Sequence, residues 1–152
     1  MNSKLLQFIA YAKKKGYADS NSVWKKINGR GKTCEIKKGD FTYVDTYFGT
    51  LIDCGQERVF ENEKVVWVMA YRGGSLNEGL SGEAFNFLKE CISRIPPEFP
   101  ARGPRRFVKG KWKYKNKWKG NIEGFVGEES IYYSGKKVCF RNYLGGLIKN
   151  KE

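Results

Sequence analysis

The chain has 152 residues, 40% of them apolar and 15% aromatic, which suits one domain with its own packed core and excludes wholesale disorder. Its formal charge of +13 comes without a single histidine, so Ser-His and Cys-His nucleophile systems and His-ligated metals are excluded. That charge is uneven: residues 1–38 carry +8, 39–100 carry −5 and 101–120 carry +9, which predicts an electropositive surface and acidic partners, nucleic acid or an acidic protein among them.

Four cysteines, Cys34, Cys54, Cys91 and Cys139, lie far apart with no C-x-x-C pair. A zinc site would have to gather all four thiolates from separate elements, so no metal and no cofactor is expected. Free thiols behind an N-terminus that lacks the apolar run of an export signal predict a cytoplasmic protein. No stretch reaches the ~18 apolar residues of a membrane span.

In chain order, Ser3 reads as the cap of a first helix with Leu5, Phe8, Ile9 and Ala12 on one stripe and Gly16 as its stop. Lys13, Lys14 and Lys15 fall in its last turn, where cations suit the helix dipole. Residues 16–31 read as a polar loop containing at most a helical turn. Gly31-Lys32-Thr33 resembles the end of a phosphate-binding loop, but the required earlier glycine is Lys26 and no strand precedes it, so that reading is rejected. From Cys34 the period changes to two, and strands are predicted over 33–37, 41–48, 56–61 and 65–72. A second helix follows Ser81 as cap, with Phe85, Leu88, Ile92 and Ile95 at helical spacing, stopped by Pro96-Pro97. Strands resume near Phe107 and run to about Tyr143.

Within that last region Lys109, Lys111, Lys113, Lys115, Lys117 and Lys119 alternate with Gly110, Trp112, Tyr114, Asn116, Trp118 and Gly120. Read as one strand, the stretch is a comb of ammonium groups on one face and a row of aromatic rings on the other. It also matches an earlier stretch. Lys38-Gly39-Asp40-Phe41-Thr42-Tyr43 aligns with Lys109-Gly110-Lys111-Trp112-Lys113-Tyr114, and Gly55-Gln56-Glu57 with Gly127-Glu128-Glu129. Tyr71-Arg72-Gly73-Gly74 aligns with Tyr143-Leu144-Gly145-Gly146. The expected fold is therefore α+β: a single domain of two α-β-β-β pseudo-repeats, about 3–74 and 81–146, with antiparallel sheets and helices packed on one side.

The string Gly39-Asp40-Phe41-x-Tyr43-x-Asp45-x-Tyr47-Phe48-Gly49, with Gly55-x-Glu57, Val66-Trp67-x-Met69 and Arg102-Gly103-Pro104, resembles an uncharacterised domain family over about residues 4–148. Members occur as stand-alone proteins and behind XRE-type helix-turn-helix regulators. The resemblance implies a cytosolic accessory or sensor domain and no particular reaction. The chain departs from the family pattern at Ala70, where an Asn usually precedes the Tyr, and in its lysine-rich comb.

Two readings of function follow. The first is a non-enzymatic module that binds a small ligand in an aromatic and acidic cleft between the repeats, lined by Tyr43, Asp45, Tyr47, Glu57, Trp67, Tyr71 and Glu129. Glu57 and Glu129 share strand parity with Val59 and Ile131, so they are expected to point inward, either as pocket acids or paired with Lys or Arg. The second is sequence-nonspecific nucleic-acid binding through Arg105, Arg106 and the six comb lysines, since ammonium groups read phosphate and not sequence. Lysines protecting a strand edge from aggregation explain the same comb. No residue is assigned a catalytic role.

Overall fold

Alternation decides the architecture. Along residues 41–45 the side chains of Phe41, Tyr43 and Asp45 are buried while Thr42 and Val44 are only partly so, and the same period recurs in the strands that follow. The computed structural model describes residues 2–151. Its elements run α1 (Ser3–Lys15), β1 (Lys25–Ile27), β2 (Gly31–Lys38), β3 (Phe41–Phe48), β4 (Ile52–Glu61), β5 (Lys64–Ser75), α2 (Ser81–Ile92), β6 (Arg106–Lys109), β7 (Trp112–Asn121), β8 (Gly124–Tyr133) and β9 (Lys136–Leu147).

The strands form one antiparallel sheet in the order β1-β2-β3-β4-β5-β9-β8-β7-β6. The first five and the last four are each a meander, joined where β5 pairs with β9 so that Tyr71 lies opposite Tyr143. Both helices pack on one face. Leu5, Phe8, Ile9 and Ala12 of α1 meet Phe41, Tyr43, Trp67 and Tyr71, while Phe87, Leu88, Cys91 and Ile92 of α2 meet Tyr114, Ile131 and Val138. The α+β class stands as expected, but the meanders have five and four strands in a single sheet, where units of about three strands in antiparallel sheets are read from the sequence. Three strands are additional: β2, which matches the run read over 33–37, and the short edges β1 and β6, whose three and four residues are too brief to show a period.

Three local expectations are corrected. Asn2, not Ser3, caps α1, its Oδ1 accepting from the Lys4 amide at 2.9 Å. Ser81 lies inside α2 and its hydroxyl donates back to the Glu78 carbonyl at 2.9 Å; the helix ends at Ile92, before the prolines. The comb is not one strand. Gly110, at φ +59°, and Lys111 turn the chain between β6 and β7, so Lys109 comes to share a face with Trp112 and pairs with Glu90 of α2 at 2.7 Å.

Two glycines let tyrosines lie flat across a strand. Gly55 is opposite Tyr71 and Gly127 opposite Tyr143; a Cβ at Gly55 would stand 2.6 Å from the Tyr71 hydroxyl, and one at Gly127 would stand 2.2 Å from the Tyr143 ring. Each ring thereby reaches past its neighbour strand to the next one. Gly127→Ala is expected to lose about 1–3 kcal/mol of stability in chemical denaturation through this overlap. Gly124→Ala in the same strand, where an added Cβ meets nothing within 4 Å, is expected to stay within about 0.5 kcal/mol of wild type.

Candidate functional site

The helix-covered face carries polar groups as well as core. Asp45 and Glu57 are register partners on β3 and β4, and Asn116 and Glu129 are partners on β7 and β8. All four are buried. Burying a carboxylate requires a partner, and the covering segments supply them. Lys13 of α1 donates to both oxygens of Glu57 at 2.7 and 2.6 Å, and the Tyr43 hydroxyl donates to Oε1 at 2.5 Å. Arg102, from the segment after α2, grips Glu129 through its Nε at 3.1 Å and through Nη2, and the Tyr114 hydroxyl donates to Oε2 at 2.5 Å. Arg141 of β9 reaches Asp53 of β4 through both terminal nitrogens and lies 3.4 Å from Glu129.

Asp45 differs from these acids. The Tyr71 hydroxyl donates to its Oδ1 at 2.6 Å, yet no cation lies within ion-pair distance of it among the described residues. Burial, and then the charge of Glu57, push its carboxyl up to about 7. Glu129 moves the other way: burial pushes it up, but Arg102 and Arg141 outweigh that and leave it below the ordinary range. Lys13 is pulled down by burial, against the opposing pull of Glu57. At the place in β7 that matches Asp45, Asn116 accepts from Tyr143 at 2.6 Å and donates to the Gly103 carbonyl at 2.9 Å, so that position is closed over by backbone.

Asp45 instead lines a cavity of about 220 Å³. Lys13 and Tyr17 border it from the end of α1, Phe85, Leu88 and Lys89 from α2, and Tyr47, Asp53, Tyr71 and Arg141 from the sheet, with Arg102. Of the residues expected from the sequence, Asp45, Tyr47 and Tyr71 line this space. Tyr43 and Glu57 sit directly behind Asp45, and Glu129 is held behind Arg102. Trp67 is away from it, fully buried with its indole nitrogen donating to the Ile122 carbonyl at 3.0 Å. Lys13, Tyr17, Arg102 and Arg141 were not expected as site residues. A signal existed for Lys13, which follows Ile9 by four residues on the apolar stripe of α1.

The basic residues scatter. Arg105 stacks on the Trp118 ring at 3.6 Å, which in turn stacks on Phe99 at 4.2 Å. Lys109 and Lys111 border an open groove of about 510 Å³ beside α2. Arg106 pairs with Lys115 in register, so both stand on the face away from the helices with Lys113, Lys117 and Lys119. Among the described residues no group of three or more Cys, Asp or Glu side chains could hold a metal ion, and no helix is long and apolar enough to cross a membrane.

Two outcomes are expected. Because the folded-state pKa of Asp45 lies above its ordinary value, its contribution to stability is fully present below about pH 4 and is lost as pH rises through about 7. Asp45→Asn should therefore flatten the stability profile between these limits and stabilise the protein at pH 8 by on the order of 2–4 kcal/mol relative to its effect at pH 4. Lys13→Met, which leaves Glu57 buried without its cation, should cost about 3–5 kcal/mol in urea denaturation at neutral pH.

No curated protein and no solved structure matches the chain. A family profile does, over residues 45–148, from Asp45 in β3 through β9; its description is a domain of unknown function. The span takes in Asp45, Glu57, Tyr71, Arg102, Glu129 and Arg141, and leaves α1 with Lys13 outside it. The chain belongs to this family, DUF5680.

Proposed function

We propose that this protein is a non-enzymatic binding module that takes a small amine-bearing ligand into the cavity between the helices and the sheet. One observation carries the reading: Asp45 lines that cavity without a cation of its own, whereas Glu57, Glu129 and Asp53 each have one. A ligand ammonium supplies the missing charge, and Tyr47 and Phe85 line the space for an attached apolar body, while the Tyr17 and Tyr71 rings already carry Lys89 and Arg141. A volume near 220 Å³ limits the occupant to a metabolite of modest size. The sensor role rests on the resemblance read from the sequence, in which the same motifs follow helix-turn-helix regulators.

We also infer that the chain is two copies of one helix-plus-meander unit. Supporting this are the matched sets Tyr43–Glu57–Lys13 and Tyr114–Glu129–Arg102, the matched pairs Tyr71–Asp45 and Tyr143–Asn116, and the central pairing of Tyr71 with Tyr143. On that reading Asp45→Asn installs in the first copy what the second already has, and the variant should keep the native circular dichroism spectrum. Loss of fold at every pH would count against the equivalence.

The ligand reading is tested by thermal shift with small aromatic amines, tyramine and tryptamine among them, beside neutral isosteres that lack the nitrogen. Since Asp45 is protonated below about pH 7, the amines should raise the melting temperature at pH 8, do so far less at pH 5, and lose the effect in Asp45→Asn. Equal shifts from the neutral isosteres, or equal shifts in the variant, would dispose of the reading.

A further inference from the structure

The sheet face opposite the helices carries a second arrangement. On β7, Lys113, Lys115, Lys117 and Lys119 stand on this face, and each has a register partner on β8: Tyr132, Ser130, Glu128 and Val126 respectively. Val126 in turn pairs with Leu144 of β9, and Ser130 with Phe140. The result is two apolar spots, Val126 with Leu144 and Tyr132 with Phe140, separated by the Glu128–Asn142 pair and bordered by a row of ammonium groups. Val126 is 53% and Leu144 58% exposed, while Tyr132 and Phe140 are half-buried with no helix above them.

Charge is one-sided here. Arg106 and Lys137, partners of Lys115 and Tyr132, add to the row, and Glu128 is the one acid that the register places among them. None of the four β7 lysines makes an ion pair within 4 Å among the described residues. Two of them rest over a ring instead, the Lys113 and Lys115 ammoniums 5.2 and 5.8 Å from the centre of Tyr132, and Arg72 of β5, the register partner of Asn142, lies 6.0 Å from the centre of Phe140. A second copy of the chain would bring further cations to the row, so the charge favours a polyanion. Lysines at alternate positions of one strand are roughly 6.8 Å apart, a spacing that follows a backbone of regularly placed phosphates. Once phosphates draw those cations off the rings, Tyr132 and Phe140 provide a stacking surface, which bases of an unpaired strand can reach and those inside a duplex cannot.

We propose that this open face binds single-stranded nucleic acid, with phosphates along Lys113, Lys115, Lys117 and Lys119 and bases over Tyr132 and Phe140. Fluorescence anisotropy tests it, using labelled dT20, rU20 and a hairpin duplex at several NaCl concentrations. Wild type should prefer the single strands by at least about tenfold over the duplex. Replacing all four lysines by Gln should reduce the log–log salt slope by roughly 3, at about 0.7 per phosphate contact on a single strand, and weaken binding at low salt by about 100-fold or more. Tyr132→Ala should weaken it by about 5- to 100-fold with the slope unchanged. These side chains are exposed or half-exposed, so melting curves near wild type should accompany both variants. Unchanged affinity in the quadruple variant, a preference for duplex, or binding to phosphatidylglycerol vesicles that oligonucleotides fail to displace would overturn the proposal, the last in favour of a membrane surface.

Discussion

Two carboxylates held against a dry sheet face, those of Glu57 and Glu129, set the terms for everything packed above them. A buried carboxylate without a cation costs several kcal/mol, and each cation arrives from a different covering segment. Lys13 is near the end of α1, and Arg102 follows α2 by ten residues. Moving α1 by one helical turn would strand Glu57 and leave an ammonium buried beside apolar side chains. The apolar stripe of α1 fixes which side faces the sheet, while the ion pair fixes where along the sheet it sits. Tyr43 and Tyr114 complete the two carboxylates, each giving its hydroxyl hydrogen to the acid on the adjacent strand.

Asp45 and Asn116, which align in sequence, have different surroundings. Asn116 is an amide, able to donate to Gly103 as well as accept from Tyr143, and chain passes directly over it. Asp45 can donate only when protonated, and it faces open space bounded by rings, by Lys13, Arg102 and Arg141, which are paired with other acids, and by Lys89, whose ammonium lies over the Tyr17 ring. The amide is sealed in the core, and the carboxyl is a titratable group at a pocket wall.

Much of this was legible in the residues. Period-two alternation gave β3 and β5 closely, and strand parity with Val59 and Ile131 pointed to Glu57 and Glu129 as inward acids, both of which are buried. Asp45, Tyr47 and Tyr71 could be grouped because strand pairing brings them together from nearby sequence. What was not legible is contact across long loops. Nothing local to Arg102 names Glu129, 27 residues away, and nothing near Arg141 names Asp53, 88 residues away. The comb misled for a local reason: lysine at every odd position hides the turn, since Gly110 and Lys111 fit the alternation in composition while breaking it in conformation. Trp67 reads as a cleft residue from the sequence, but its indole nitrogen donates to the backbone of Ile122 within the core, a contact 55 residues away.

The position of β9 in the sheet has a consequence for how the chain must be assembled. It is the last strand in sequence among the described residues, yet it lies between β5 and β8, in the interior of the sheet. During synthesis the two meanders can form in turn, but until residues 136–147 have emerged both β5 and β8 present unsatisfied backbone to the surroundings. Such open borders invite pairing with other nascent chains. β9 covers both borders at once, so the pairing of residues 136–147 is what joins the two ribbons into a continuous sheet.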